Sequence, residues 1–133
     1  MSSAESLNYA KRYLQKAEEY LASAQDNVEL ERATPAAGDA IHAGISAKDA
    51  VVITLTGSLG KAKDHATAAK ELKQALGKRP EAAASEKALR ELLSAKGDVE
   101  YGVALVTAAK AESLVRRGRT LVELAVHVVR LGR

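Results

Sequence analysis

The sequence predicts an all-α domain, an up-down bundle of four main helices plus one short helix, on three observations. Alanine supplies 27 of the 133 residues, and alanine is the strongest helix former while burying little area. The aromatic complement is four tyrosines with no Phe or Trp, whereas β-rich domains lean on aromatic and β-branched residues. Apolar residues recur three and four positions apart along most of the chain, the period of a helix with one buried face. A chain of this length has room for one hydrophobic core, so residues 1–133 read as a single domain.

The chain divides at four turn-like stretches: Glu31-Arg32-Ala33-Thr34-Pro35, Gly57-Ser58-Leu59-Gly60, Gly77-Lys78-Arg79-Pro80 and Lys96-Gly97-Asp98. Ahead of the first lies a helix expected to start at Ser2, with Glu5 completing a capping box. Leu7, Ala10, Leu14, Ala17, Leu21, Ala24 and Val28 form its stripe, a rhythm that suits near-antiparallel bundle packing. Tyr9, Tyr13 and Tyr20 flank the stripe, where a ring packs while its hydroxyl stays wet.

Thr34 before Pro35 reads as a capping hydroxyl followed by proline at the first helical position. From Ala36 to Leu55 the pattern is apolar nearly all round, marking the central, most buried helix. Val51-Val52-Ile53 would also suit a strand, but the helical pattern runs smoothly into it from Ala40 and no pairing partner exists elsewhere. Two shorter helices follow, over about 64–76 and 81–95. Pro80 is expected to open the second of these and Gly97 to close it. The final helix is expected from Asp98 to Leu131, with a bend near Gly118.

Composition excludes several classes. Without cysteine there is no disulfide framework and no Cys-zinc site. No apolar run approaches the ~20 residues of a membrane span, and the Met1-Ser2-Ser3-Ala4-Glu5 start does not resemble a signal peptide. The expectation is a soluble, cytoplasmic domain with no cofactor. The net charge of +3 concentrates toward the end: Arg116, Arg117, Arg119, Arg130 and Arg133 face only Glu123 over residues 116–133. A basic end attracts phosphates, and basic helix C-termini also compensate the helix dipole.

Three histidines and a few carboxylates make up the candidate chemistry. There is no His-Glu-x-x-His pair, phosphate-binding loop or nucleophile elbow. Asp49 sits mid-helix between Ile45 and Val52, where an ionised carboxylate needs a partner. His42 lies two turns earlier on the same face, with Ser46 between. That polar line is either a site for ligand binding or acid–base work, or a structural network bonded to a neighbouring helix. Asp64 is placed to cap the third helix, with His65 on its first turn. Tyr101 is a further ligand-binding candidate, able to offer a hydroxyl near Asp49, or else a packing residue. On the last helix Arg119, Glu123 and His127 are spaced so that Glu123 reaches both neighbours.

The run Asp39-Ala40-Ile41-His42-Ala43-Gly44-Ile45-Ser46-Ala47-Lys48-Asp49-Ala50, then Lys63-Asp64-His65 and Ala68-Ala69-Lys70-Glu71-Leu72, resembles the HEPN superfamily (higher eukaryotes and prokaryotes nucleotide-binding), in particular its small stand-alone actinobacterial members. Lys96-Gly97-Asp98-Val99-Glu100-Tyr101-Gly102 and the long helix containing Ala111 resemble the family's C-terminal part. The likeness covers roughly residues 8–130. It implies a helical bundle, usually a homodimer, whose cleft binds nucleotides or RNA. It also implies, for active members, a metal-independent ribonuclease, often a toxin beside a nucleotidyltransferase-like antitoxin.

The family's catalytic signature is an Arg and a His separated by four to six residues on the last long helix. Arg119 and His127 are the positions here that approach it, with one intervening residue too many. One extra residue rotates a helical side chain by about 100°. The resemblance therefore implies a non-catalytic module that binds nucleotide, RNA or a protein partner. Two alternatives stand beside it. One is a ribonuclease with His127 as general base and Arg119 stabilising phosphorane charge. The other is a purely structural or antitoxin-like dimerisation protein.

Overall fold

A computed structural model describes residues 3–59 and 64–131. They form five helices: α1 (Ser3–Glu29), α2 (Ala33–Thr56), α3 (His65–Leu76), α4 (Ala82–Tyr101) and α5 (Ala108–Leu131). No described residue lies in a strand, so Val51-Val52-Ile53 is helical. Ser2, the expected first cap, lies outside the described residues, as does Gly60.

α2 is the hub, packing against each of the other four helices. It earns that place by being apolar nearly all round: Ala36, Ala37, Ala40, Ile41, Ala43, Ala47, Ala50, Val51 and Ile53 are fully buried. Each buried Ile or Val contributes about 1.5–3 kcal/mol, and the alanines less. The small residues instead let neighbouring backbones approach. Gly118 on α5 lets the two backbones approach closely, since a Cβ there would lie 3.1 Å from the Ala40 carbonyl oxygen. α5 runs unbroken through Gly118, and the glycine serves this contact.

The register of the contacts sets the topology. Thr34 meets Val106 and Ala40 meets Gly118, so α2 and α5 run the same way. Gly38 approaches Val99 and, further along α2, Gly44 approaches Leu92, so α4 runs against α2. α1 runs against both α2 and α5, because Gln25–Glu29 lie beside Glu112–Arg119. The four long helices thus alternate in direction, and the twelve-residue α3 bridges α2 to α4.

The α1 stripe is buried at Ala10, Leu14, Ala17 and Ala24, while Leu21 and Val28 are half-buried and Leu7 is exposed. Ser6 takes the inner position near Leu7, donating its hydroxyl to the Gly57 carbonyl at 2.9 Å. Tyr13 and Tyr20 pack beside the core while Tyr9 is exposed. Asp64 caps α3 as expected, accepting from the Thr67 N–H at 2.8 Å.

Three local expectations need correction. Thr34 does not cap α2. The N-cap is Arg32, without a side-chain cap bond, and Thr34 Oγ1 instead accepts the Val106 N–H at 3.2 Å. Pro35 still falls in the first turn, where its missing N–H costs nothing. Gly97 does not close α4, which runs on to Tyr101. The last helix starts at Ala108 rather than Asp98. The break comes at Gly102, where the backbone turns extended and a Cβ would collide with the Asp98 carbonyl. Thr107 then caps α5 by accepting the Lys110 N–H at 3.1 Å.

The α1–α2 turn holds a strained residue. Arg32 N–H reaches Asn27 O at 2.8 Å and Glu31 N–H reaches Val28 O at 3.1 Å, the two bonds of a Schellman motif. Its left-handed position, usually glycine, is Glu31 at φ +60°. Glu31→Gly is therefore expected to raise stability by about 0.5–1 kcal/mol, after the greater freedom of the unfolded glycine chain is deducted. Urea unfolding checks this, and a lower midpoint would contradict it.

Candidate functional site

The polar line expected on α2 separates into two clusters. His42 turns toward α4, placing Nε2 3.0 Å from Glu100 Oε1. Its ring lies 5.3 Å from that of Tyr20, tilted by 30°, so one histidine joins three helices. The facing Glu100 oxygen is sealed from solvent, whereas the His42 side chain is 43% exposed.

Asp49, two turns along, lies at the α3 side. Lys48 Nζ sits 3.0 Å from Asp49 Oδ1 and 3.5 Å from Glu71 Oε1. The lysine side chain is 10% exposed and its two carboxylate partners 23% and 21%. This is a largely desolvated ion cluster tying α2 to α3. It gives Asp49 the partner that burial demands. Lys48, Glu71 and Glu100 were not among the residues singled out from the sequence. Their pairings span separate helices, although a lysine beside Asp49 in the most apolar helix was a signal for the first.

Arg119, Glu123 and His127 lie on the solvent face of α5, all exposed. No ion pair or hydrogen bond among the described residues joins them. The same face carries Arg116 and Arg130, also exposed, and the α5 arginine that does find a partner is Arg117, bonded to Glu91 on α4. His65 opens α3, but its side chain lies outside the described set. No group of three or more His, Asp or Glu among the described residues is arranged to hold a metal.

Tyr101 is neither near Asp49 nor in the core. It is 82% exposed, at the end of α4. It begins an apolar projection that continues through Val103, at 101%, and Leu105, at 86%. The projection forms an arch pinned at both feet to α2. The Glu100–His42 pair holds the first foot and the Thr34–Val106 hydrogen bond the second. Between the arch and the walls of α4 and α5 lies a groove of about 470 Å³, floored by Ala95, Val99 and Val106 and rimmed by Asp98 and Lys110.

Comparison with known proteins adds no relative: no family model, no curated protein and no solved structure matches this chain. The reading of the site therefore rests on its own chemistry. No described helix is long and apolar enough to cross a membrane. Large apolar side chains fully in water, held by polar contacts at each end rather than folded onto the core, are characteristic of recognition surfaces.

Proposed function

We propose that the chain is a HEPN-like binding module without catalytic activity, and that it acts by docking a protein partner on the α4–α5 arch. The observation that carries this reading is the exposure of Tyr101, Val103 and Leu105 on a connection fixed at both ends. A loop this short could have turned those side chains inward. Leaving them in water forgoes about 1.5–3 kcal/mol for each large apolar group. Binding a partner recovers that energy.

The catalytic alternative asks Arg119 and His127 to converge on one phosphate. Eight positions on a straight helix place them about 12 Å apart along its axis and about 80° apart around it, and both are exposed on α5. A second reading, weak binding of RNA or nucleotide, draws on the exposed face of α5. Arg116, Arg119, His127 and Arg130 share that face without an ion-pair partner among the described residues. Glu112 and Glu123 interrupt it.

Two experiments test the proposal. Labelled single-stranded RNA incubated with the protein in EDTA is expected to stay intact, as it does with His127→Ala. Cleavage by wild type but not by the variant would establish the ribonuclease instead. Val103→Asp combined with Leu105→Asp is expected to leave the helical circular dichroism and the unfolding midpoint unchanged, because the arch side chains touch little of the core. The same double variant should lose most of the wild-type fluorescence with an apolar-surface dye. A dye signal indifferent to the substitutions would remove the arch as the docking surface.

A further inference from the structure

We infer that the partner docked at the arch presents a basic and apolar peptide segment, which seats a Lys or Arg side chain in an acidic hollow beside the arch. The inference rests on the arch being the docking surface and adds the chemistry of what docks. The hollow, of about 370 Å³, lies between the α1–α2 turn and the start of α5, lined by Val28, Ala33, Ala108, Ala111, Glu31 and Glu112. It adjoins the second foot of the arch. Thr34, which holds Val106, follows Ala33 in the chain, and Ala108 lies two residues beyond Val106. Leu30 adds an exposed apolar side chain at the same turn.

Charge selects among the partners that an apolar surface admits. Both ionisable residues of the hollow are acidic and exposed, and neither has an ion-pair partner among the described residues. α2 and α5 begin here and α1 ends here. Two helix N-termini supply about half a positive charge each, and one C-terminus about half a negative charge. Against two full carboxylate charges the hollow stays negative. In the arch groove Asp98 and Lys110 offset each other, and Glu91 is bonded to Arg117, so the hollow sets the preference. Arg116 and Arg119 line the neighbouring α1–α5 groove with Asp26, Glu29 and Glu112, and are not part of the hollow's lining.

Glu31 keeps its carboxylate here at φ +60°, a conformation that favours glycine. An apolar wall beside two exposed carboxylates suits a long side chain with an apolar stem and a cationic head. RNA and anionic membrane surfaces carry the wrong sign for this end of the molecule.

Fluorescence anisotropy with short labelled peptides tests the inference. One peptide consists of leucine, glycine and lysine, a second has glutamate in place of lysine, and a third has serine in place of leucine. The leucine–lysine peptide is expected to bind with Kd on the order of 100 μM. The other two should bind about tenfold more weakly. Glu31→Gln/Glu112→Gln should weaken the leucine–lysine peptide about fivefold, and Glu31→Lys/Glu112→Lys should reverse the preference toward the glutamate peptide. Glu31→Gly should weaken binding while raising stability, a split that a merely structural role for the carboxylate would not produce.

No binding of the leucine–lysine peptide overturns the inference, as does affinity indifferent to peptide charge or to the Glu31 and Glu112 substitutions. Binding to vesicles of equal phosphatidylcholine and phosphatidylserine, lost in Val103→Ser/Leu105→Ser, would overturn it in favour of a lipid surface. The dye experiment separates the two possible failures. A dye signal that depends on Val103 and Leu105, with no charge preference among the peptides, removes the inference and leaves the arch as a docking surface.

Discussion

Gly118→Val should destabilise the domain by about 3 kcal/mol, lowering Tm by on the order of 10 °C. At Gly118 even a Cβ would stand 3.1 Å from the Ala40 carbonyl oxygen, 3.6 Å from its Cα and 3.7 Å from its carbonyl carbon. These are backbone atoms of the most buried helix, so the neighbour cannot yield by a rotamer change. The two γ-carbons of valine extend the clash. Relief requires α5 to move off α2, which loosens Leu114, Leu121 and Val128 at once. Gly97→Ala is the matched control. A Cβ at Gly97, inside α4, meets nothing within 4 Å, so that substitution should stabilise by about 0.5–1 kcal/mol. Thermal unfolding of both variants checks the pair of signs. A harmless Gly118→Val would mean that α2 and α5 do not touch there.

Lys48→Ala has the second-largest expected effect, a loss of about 3 kcal/mol. It removes the cation from between Asp49 and Glu71 and leaves two mostly desolvated carboxylates at the α2–α3 junction. Breaking one side of such a cluster costs more than the cluster contributes, because the remaining charges keep their desolvation penalty. Adding Asp49→Asn to Lys48→Ala should therefore recover part of the loss, a coupling that a double-mutant cycle measures from urea midpoints. Asp49→Asn alone should cost about 1–2 kcal/mol with the fold intact. Purely additive effects would show that Lys48 and Asp49 do not act as a unit.

The bundle was legible because its evidence is periodic. The stripe through Ala10, Leu14, Ala17 and Ala24, and the all-round apolar character of Ala36 to Leu55, depend only on spacing along one helix. The misplaced boundaries share a different cause. Thr34 and Gly97 carry strong local signals for a cap and a stop. Tertiary context put the Thr34 hydroxyl to work on the α4–α5 connection and let the helix pass Gly97, while Gly102 supplied the break. The last helix was read too long because Asp98-Val99-Glu100-Tyr101 continues a helical pattern without interruption, as indeed it does on α4. In the candidate site, His42 and Asp49 were visible as polar residues in an apolar helix. The pairings of His42 with Glu100 and of Lys48 with Glu71 depend on how separate helices are set against each other, and no spacing rule reports that. The arch was legible least of all. Val103 and Leu105 fall inside the span expected to form the last helix, and a sequence pattern records hydrophobicity and not whether it is covered.

The alternation of the long helices has one more effect. α1 runs against α5 with the end of α1 beside the start of α5, so Ser3 and Leu131 emerge at one pole of the bundle. The arch stands at the opposite pole, beside the start of α2, where Val106 meets Thr34. A domain or label joined to either terminus would extend away from the arch and leave its apolar side chains accessible.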